Sequence, residues 1–254
     1  MRHIVNFSAG LSSWAAARRV ADFYGTDNLT LLFADTRKEW SDAYRFLRDA
    51  ARNIGVPVTR IADGRTPWQV FRDERYIGNS RVDPCSKKLK RKLLDSWHRE
   101  NCDPKDTVIH VGLRWDEMNR FERFRDAIAP WIVDAPLMWK PFIYPSDLAK
   151  MARDVGLEPS DTYAAGFPHD NCSGACVKAG QAQWRLLLRV RPEVFAENEQ
   201  EEESMREYLG KDVSILSETV NGEKRALPLK LFRERIESGC QIDAFDWGGC
   251  GCAL

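Results

Sequence analysis

The chain alternates short apolar runs with segments in which apolar residues recur at helical spacing. The apolar runs predict four strands, at residues 3–7, 29–34, 57–61 and 107–113. Helical spacing between the first three strands predicts helices over residues 14–24 and 39–54. Strands that alternate with helices are typical of a doubly wound, mostly parallel α/β sheet, in which ligands bind at the carboxyl ends of the strands.

The pattern changes after residue 145. A helix is predicted over residues 146–155, followed by a segment rich in Gly, Pro and Cys at 166–180 and by two helices that end at Leu209. The pair Asn221-Gly222 favours the tight turn of a small hairpin. We therefore predict two regions, an α/β domain over residues 1–145 and a helical region with a hairpin and a cysteine-containing tail over residues 146–254.

The overall charge of the chain does not indicate a class of ligand, but two local blocks of charge are informative. The formal net charge is zero, so the field of the whole protein gives no argument for nucleic acid. An acidic block at residues 197–203 is predicted to be a solvated helix face, and a basic block at residues 87–92 is either a solvated face or a set of cations for a phosphate or a cluster. No run reaches the roughly 18 apolar residues of a membrane helix. No signal-peptide core follows Met1, so we expect a cytoplasmic protein without a membrane partner.

A turn of small residues separates the first predicted strand from the first helix. It contains Ser8, Ala9, Gly10, Ser12 and Ser13. A phosphate needs inward-pointing backbone N–H groups without bulky Cβ atoms in the way, and the N-terminus of a helix adds a favourable dipole. The turn therefore predicts a phosphate-binding loop, with a simple packing turn as the alternative.

This turn resembles the PP-loop, Ser-Gly-Gly-x-Asp-Ser, and the chain is similar to the phosphoadenylyl-sulfate (PAPS) reductase family of the PP-loop, HUP-like superfamily. Ala9 stands in place of a Gly. Ser12 stands in place of the Asp that helps to hold magnesium in ATP-pyrophosphatase members, and PAPS reductases themselves often depart from the motif there. The resemblance covers about residues 3–180 and extends to a Tyr-x-x-Gly-Phe segment that begins at Tyr163.

Two further segments carry the resemblance and add candidate nucleotide-binding residues. Asp35 and Thr36 match the Asp-Thr of the family and would hold a ribose or order the loop, with a helix cap as the alternative. The second segment begins at Gly112. Arg114 and Arg120 within it would contact phosphate or sulfate oxygens, and the alternative is a surface salt-bridge cluster with the nearby Asp and Glu.

The chain has seven cysteines, and an odd number favours metal or thiol chemistry over a disulfide framework. Cys85 matches one position of the tandem-cysteine segment of the iron–sulfur members, and Cys172 and Cys176 resemble their later cysteine pair with one extra residue between them. With Cys252 they form a predicted four-thiolate set for zinc or a 4Fe–4S cluster. The alternative is a set of reduced thiols in a glycine-rich loop.

The tail offers a second interpretation. PAPS reductases carry a nucleophilic cysteine in a C-terminal Glu-Cys-Gly-Leu-His tail, and Cys250 is in a comparable position, with Cys252 as the other candidate catalytic thiol. The Glu and His that flank the cysteine in the family are absent here.

The resemblance implies a protein that binds an adenine nucleotide (ATP, AMP or PAPS) and acts on a sulfonucleotide or on ATP with thiol or iron–sulfur chemistry. The implied partners are a thioredoxin-like reductant, a component of a phage or CRISPR-type defence system, or a second copy of the chain. Two alternatives remain: an ATP-dependent enzyme that modifies a nucleobase or nucleic acid, and a nucleotide-binding accessory protein without turnover.

Overall fold

A five-stranded parallel sheet is the centre of the computed structural model, which describes residues 1–240, 243 and 245–249. Its strands are β1 (Arg2–Asn6), β2 (Leu29–Ala34), β3 (Val58–Ile61), β4 (Thr107–Val111) and β5 (Ile132–Asp134). Their spatial order is β3-β2-β1-β4-β5, and every neighbouring pair is parallel. The prediction of an α/β fold with a parallel sheet is confirmed.

The sequence pattern missed β5. This edge strand has only three residues, and Ile132 is 46% exposed, so it lacks the continuous apolar run that made the central strands visible. The three central strands are almost wholly buried because helices cover both faces of the sheet.

Eleven helices are described in the chain, together with short 3-10 turns. They are α1 (Leu11–Tyr24), α2 (Ser41–Ile54), α3 (Pro67–Glu74), α4 (Pro84–Ser86), α5 (Lys92–Asn101), α6 (Met118–Ala127), α7 (Leu148–Asp154), α8 (Asp161–Ala164), α9 (Gln181–Val190), α10 (Pro192–Leu209) and α11 (Leu229–Glu237). A π-helical segment, Lys87–Arg91, joins α4 to α5.

The direction of the crossovers distributes these helices over the two faces. The connections through α1 and α2 run from β1 towards β3, whereas those through α5 and α6 run from β3 towards β5. Because parallel crossovers are right-handed, α5 and α6 lie on the face opposite α1 and α2. The two helix pairs therefore flank the sheet where the strand order reverses, between β1 and β4.

The helix boundaries differ from the predicted ones where side chains cap the ends. The first helix begins at Leu11 rather than at residue 14, because the Ser13 hydroxyl bonds to both backbone groups of Gly10 and fixes the first turn. The predicted helix over residues 146–155 is a 3-10 turn at Pro145–Asp147 that continues into α7.

The C-terminal region contains an antiparallel hairpin of β6 (Leu216–Val220) and β7 (Glu223–Leu227). Asn221 and Gly222 occupy its turn with φ of 53° and 82°, so the predicted hairpin is confirmed. The hairpin packs with α9, α10 and α11 in a core that also includes Trp68 and Phe71 of α3. In turn, α7 packs against α1. The core around the hairpin and the core around α1 thus both contain residues from before and after position 145. The predicted division into two regions stays a prediction.

Among the described residues, no helix combines the length and the apolar character that crossing a membrane requires.

Candidate functional site

A cavity of about 550 Å³ lies at the carboxyl ends of β1 and β4, where the strand order reverses. This is the position at which open α/β sheets bind their ligands. Seven of the predicted nucleotide-binding residues line it together: Ser8, Gly10, Ser12, Ser13, Gly112, Arg114 and Arg120.

The loop between β1 and α1 has a backbone conformation that its sequence only partly favours. Ala9 is buried and has a φ of 61°, in the left-handed region where a Cβ is disfavoured. The Cβ of Ala9 therefore introduces strain at a point where the loop adopts left-handed geometry. Tyr163 then stabilises the turn, because its hydroxyl accepts a hydrogen bond from the backbone N–H of Leu11 at 3.2 Å.

Gly112 is required by packing between the sheet and α1. A Cβ at this residue would lie 2.9 Å from both the Cα and the backbone nitrogen of Ser13. The end of β4 and the first turn of α1 therefore touch through their backbones. Gly112 therefore allows β4 to approach the loop of small residues that precedes α1.

Arg114 and Arg120 line the cavity and also form ion pairs. Arg114 binds Asp116 through Nε at 3.1 Å and Glu117 through Nη1 at 3.4 Å, and Arg120 pairs with the same Glu117. The salt-bridge cluster is therefore present, and the contact with an anion stays a prediction. The side chains remain 19% and 24% exposed at the cavity wall, where an anion can compete with the two carboxylates for them.

The cavity is much more basic than the protein as a whole. Eight Lys or Arg residues line it against three Asp or Glu residues, although the whole chain is neutral. Four of the eight belong to the basic block on the π-helical segment and the start of α5: Lys87, Lys90, Arg91 and Lys92. A concave surface with this excess of positive charge attracts anionic ligands.

Asp35 and Thr36 follow β2 but do not line this cavity. The buried Asp35 carboxylate accepts hydrogen bonds from the Arg37 backbone N–H and the Tyr44 hydroxyl, both at 2.7 Å, and from Arg60 Nε at 2.8 Å. Burial and the bond to Asp35 raise the pKa of Tyr44. Neither residue caps α2, which begins at Ser41. Asp35 therefore orders the loop after β2.

A buried ion pair lies between this cavity and a second one. Lys90 Nζ is 3.4 Å from Glu39 Oε1, and the two side chains are only 6% and 4% exposed. Glu39 Oε1 also accepts from the Thr36 hydroxyl at 3.0 Å, and its Oε2 accepts from the Cys172 backbone N–H at 2.7 Å. Lys90 lines the large cavity and Glu39 the smaller one, so the pair connects their walls.

The second cavity, of about 240 Å³, brings together three of the four predicted metal ligands. Cys85, Cys172 and Cys176 all line it. The fourth, Cys252, and the candidate nucleophile Cys250 lie outside the described residues. Within residues 1–240, 243 and 245–249, no group of three or more His, Cys, Asp or Glu side chains is arranged to hold a metal ion, so the metal site stays a prediction.

The turn that carries Cys172 is strained and firmly held. Cys172, Ser173 and Gly174 have φ angles of 50°, 57° and 91°, three successive residues in the left-handed region. Around them, Glu39 accepts from the Cys172 N–H, Arg191 Nη1 donates to the Ser173 carbonyl, and Gln183 donates to the Gly174 carbonyl. Strain that surrounding side chains maintain in this way concentrates at functional sites.

Sequence reasoning missed two buried polar residues of the large cavity. His98 on α5 and Asp170 are both 4% exposed and both line it. Burial raises the pKa of Asp170, and the Ser160 and Thr162 hydroxyls oppose that rise. A polar residue within an amphipathic helix or a loop gives no sign of burial, so only the tertiary structure identifies these two.

No protein-family model matches the chain, and a search of the curated proteins finds no match.

Proposed function

We propose that this protein binds an adenine nucleotide on a PP-loop, HUP-like sheet and, similar to PAPS reductases, acts on a sulfonucleotide or on ATP. One observation carries the proposal. The loop of small residues and the N-terminus of α1 meet an excess of Lys and Arg side chains in one cavity at the switch point of the sheet.

Two parts of this cavity suit different parts of the nucleotide. Backbone N–H groups and the Ser12 and Ser13 hydroxyls at the start of α1 favour a phosphate. Arg114 and Arg120 present charge to a second anionic group, a further phosphate or a sulfate. Because Asp116 and Glu117 hold the two guanidinium groups beforehand, the ligand exchanges one set of charged partners for another.

The cysteine cavity supports the second part of the proposal. Its thiols lie across the Glu39–Lys90 pair from the nucleotide cavity. Thiol or iron–sulfur chemistry there would be close to a bound nucleotide yet separated from its phosphates. A bound cluster or zinc would be held by Cys85, Cys172 and Cys176.

Calorimetric titration of the full chain tests the binding. AMP, ATP and PAPS are expected to bind in the micromolar range, corresponding to about −8 kcal/mol. Arg114→Ala should weaken PAPS by roughly ten- to a hundredfold and adenosine hardly at all, since a charge-assisted contact is worth about 1.5–3 kcal/mol. Arg125→Ala is the matched control, because Arg125 pairs with Asp126 and does not line the cavity.

Absence of binding by any adenine nucleotide at millimolar concentration would refute the proposal. Equal weakening of PAPS and adenosine by Arg114→Ala would show instead that the residue only supports the fold. Metal analysis of anaerobically purified protein tests the cysteine cavity: about one zinc or four irons per chain, lost in Cys172→Ala and kept in Cys102→Ala, is expected for a metal site.

Ser12 favours one alternative, a nucleotide-binding protein without turnover. A hydroxyl at this position supplies no charge for a magnesium ion, whereas a carboxylate would. Measuring pyrophosphate release from ATP and product formation from PAPS separates this alternative from an enzyme.

A further inference from the structure

The residues that line the large cavity change in type with distance from the Ser8–Ser13 loop. Its wall continues along α5 and α6 on the sheet face opposite α1, where apolar and aromatic side chains line it together with the charged Asp95, Arg99 and Arg123. Leu94 and His98 come from α5, Phe124 from α6, and Ile128 and Trp131 from the segment that follows α6. We call this part of the cavity the inner chamber. The apolar and aromatic members of its lining can pack against an uncharged ring.

His98 is the buried polar residue among those that define the inner chamber. It is 4% exposed, its ring centroid lies 5.8 Å from that of Trp131, and its Nε2 has no hydrogen-bond partner. Burial lowers the pKa of His98 to about 4, so the imidazole is neutral near pH 7. A buried polar atom without a partner is costly, and a neutral imidazole can donate or accept according to its tautomer.

A second polar atom of the same kind lies at the end of β1. The Asn6 Oδ1 atom is buried without a hydrogen-bond partner, and Asn6 lines the same cavity. The cavity thus offers an amide oxygen that accepts and an imidazole nitrogen of either role, beside apolar and aromatic side chains. Heteroaromatic bases carry both donors and acceptors on their edges and have apolar faces, which is the matching chemistry.

The distance along the helix fits one ligand that reaches both ends. Lys90 lines the same cavity as the Ser8–Ser13 loop, and His98 lies eight residues after Lys90 in a nearly continuous helix, which corresponds to roughly 12 Å. We propose that the inner chamber binds the purine base of the nucleotide whose phosphates lie at the Ser8–Ser13 loop, with His98 hydrogen-bonded to the edge of the base. This inference rests on the proposed nucleotide binding and adds the site that selects the base.

A series of ligands tests the inference on the full chain. AMP, ribose 5-phosphate and inorganic pyrophosphate share the anionic end, and only AMP has a base. We expect AMP to bind at least tenfold more tightly than ribose 5-phosphate. His98→Phe, which keeps a ring but removes the polar nitrogen, should weaken AMP by about tenfold and leave ribose 5-phosphate within twofold. Glu100→Gln, on the exposed side of α5, is the matched control and should change neither.

A nuclear magnetic resonance signal gives a second readout, the response of His98 to ligands in the wild-type protein. The chain has only four histidines, so a long-range proton–nitrogen spectrum of histidine-labelled protein resolves few imidazoles. The Nε2 resonance of His98, identified by its loss in His98→Gln, should shift with AMP and stay in place with ribose 5-phosphate.

The outcomes separate the two proposals. If the wild-type protein binds neither AMP nor pyrophosphate, the nucleotide-binding function fails and the inference fails with it. If AMP, ribose 5-phosphate and pyrophosphate bind equally, or the His98 resonance ignores AMP, the inference alone is overturned and the base lies elsewhere. Equal loss of all three ligands in His98→Phe, with an unshifted His98 signal in the wild type, would assign the residue to the fold.

Discussion

Replacement of Lys90 by Met should destabilise the protein much more than loss of an exposed lysine does. At 3.4 Å and an effective dielectric of about 20, the attraction between Lys90 and Glu39 amounts to roughly 5 kcal/mol. Desolvation of the two charges offsets much of that attraction when both are present. Removal of the lysine alone leaves the Glu39 carboxylate buried without this cation, while the Thr36 hydroxyl and the Cys172 N–H still donate to it. We therefore expect the free energy of unfolding to fall by about 3 kcal/mol.

Urea unfolding at pH 7.5 measures this loss, and a neighbouring pair supplies the control. Lys88 Nζ lies 2.6 Å from a carboxylate oxygen of Glu74, but these two side chains are 30% and 37% exposed. Lys88→Met should therefore lower the free energy of unfolding by at most about 1 kcal/mol. Combining Lys90→Met with Glu39→Gln should recover much of the stability, because the uncompensated charge is then gone. A coupling of about 2 kcal/mol is expected from the double-mutant cycle.

Two results would contradict this reasoning. Equal costs for Lys90→Met and Lys88→Met would mean that the Lys90–Glu39 pair is as well solvated as the exposed one. Additive effects of Lys90→Met and Glu39→Gln would mean that the two charges do not interact. Their ion pair would then not stabilise the wall between the two cavities.

Three further predictions follow from backbone geometry and from one buried acid. Ala9→Gly should raise the free energy of unfolding by up to about 1 kcal/mol, because the left-handed strain of Ala exceeds the entropy cost of Gly; a lower urea midpoint would contradict this. Gly112→Ala should lower the free energy of unfolding by about 1–3 kcal/mol and weaken AMP binding, because the added Cβ pushes on Ser13. Gly249→Ala should be neutral in the same assays, since a Cβ there meets no atom of the described residues within 4 Å. Burial raises the pKa of Glu202 to about 7. The folded state therefore keeps a proton that the unfolded chain releases near pH 4.5. The free energy of unfolding should fall by about 3 kcal/mol as the pH rises from 4.5 through 7. Glu202→Gln should remove this part of the pH dependence, and an unchanged slope would refute the assignment.

Local sequence patterns were sufficient for the strands and the loop that line part of the large cavity, whereas α5 and α6 were not predicted. The apolar runs of β1, β2 and β4, the small-residue loop before α1 and the Asn221-Gly222 turn all express preferences between near neighbours in the chain. A parallel sheet brings the carboxyl ends of its strands to one edge. The loop and the segment at Gly112 were therefore expected to meet there, and they line the same cavity.

Tertiary structure alone decided which polar residues are buried. The acidic block was predicted to be solvated, yet Glu202 is 1% exposed and accepts hydrogen bonds from the backbone N–H groups of Ile215 and Leu229. Within the basic block, Lys90 is 5% exposed, although the block has the charge pattern of a surface helix.

The physical reason is the range of the interactions involved. Helical and strand periodicities arise between residues a few positions apart, and the sequence displays them directly. Burial of a charge depends on a partner that packing supplies from far along the chain: Glu39 is 51 residues from Lys90, and Leu229 is 27 residues from Glu202. No local pattern encodes such a partner, so these sites became visible only once the sheet and helices had assembled.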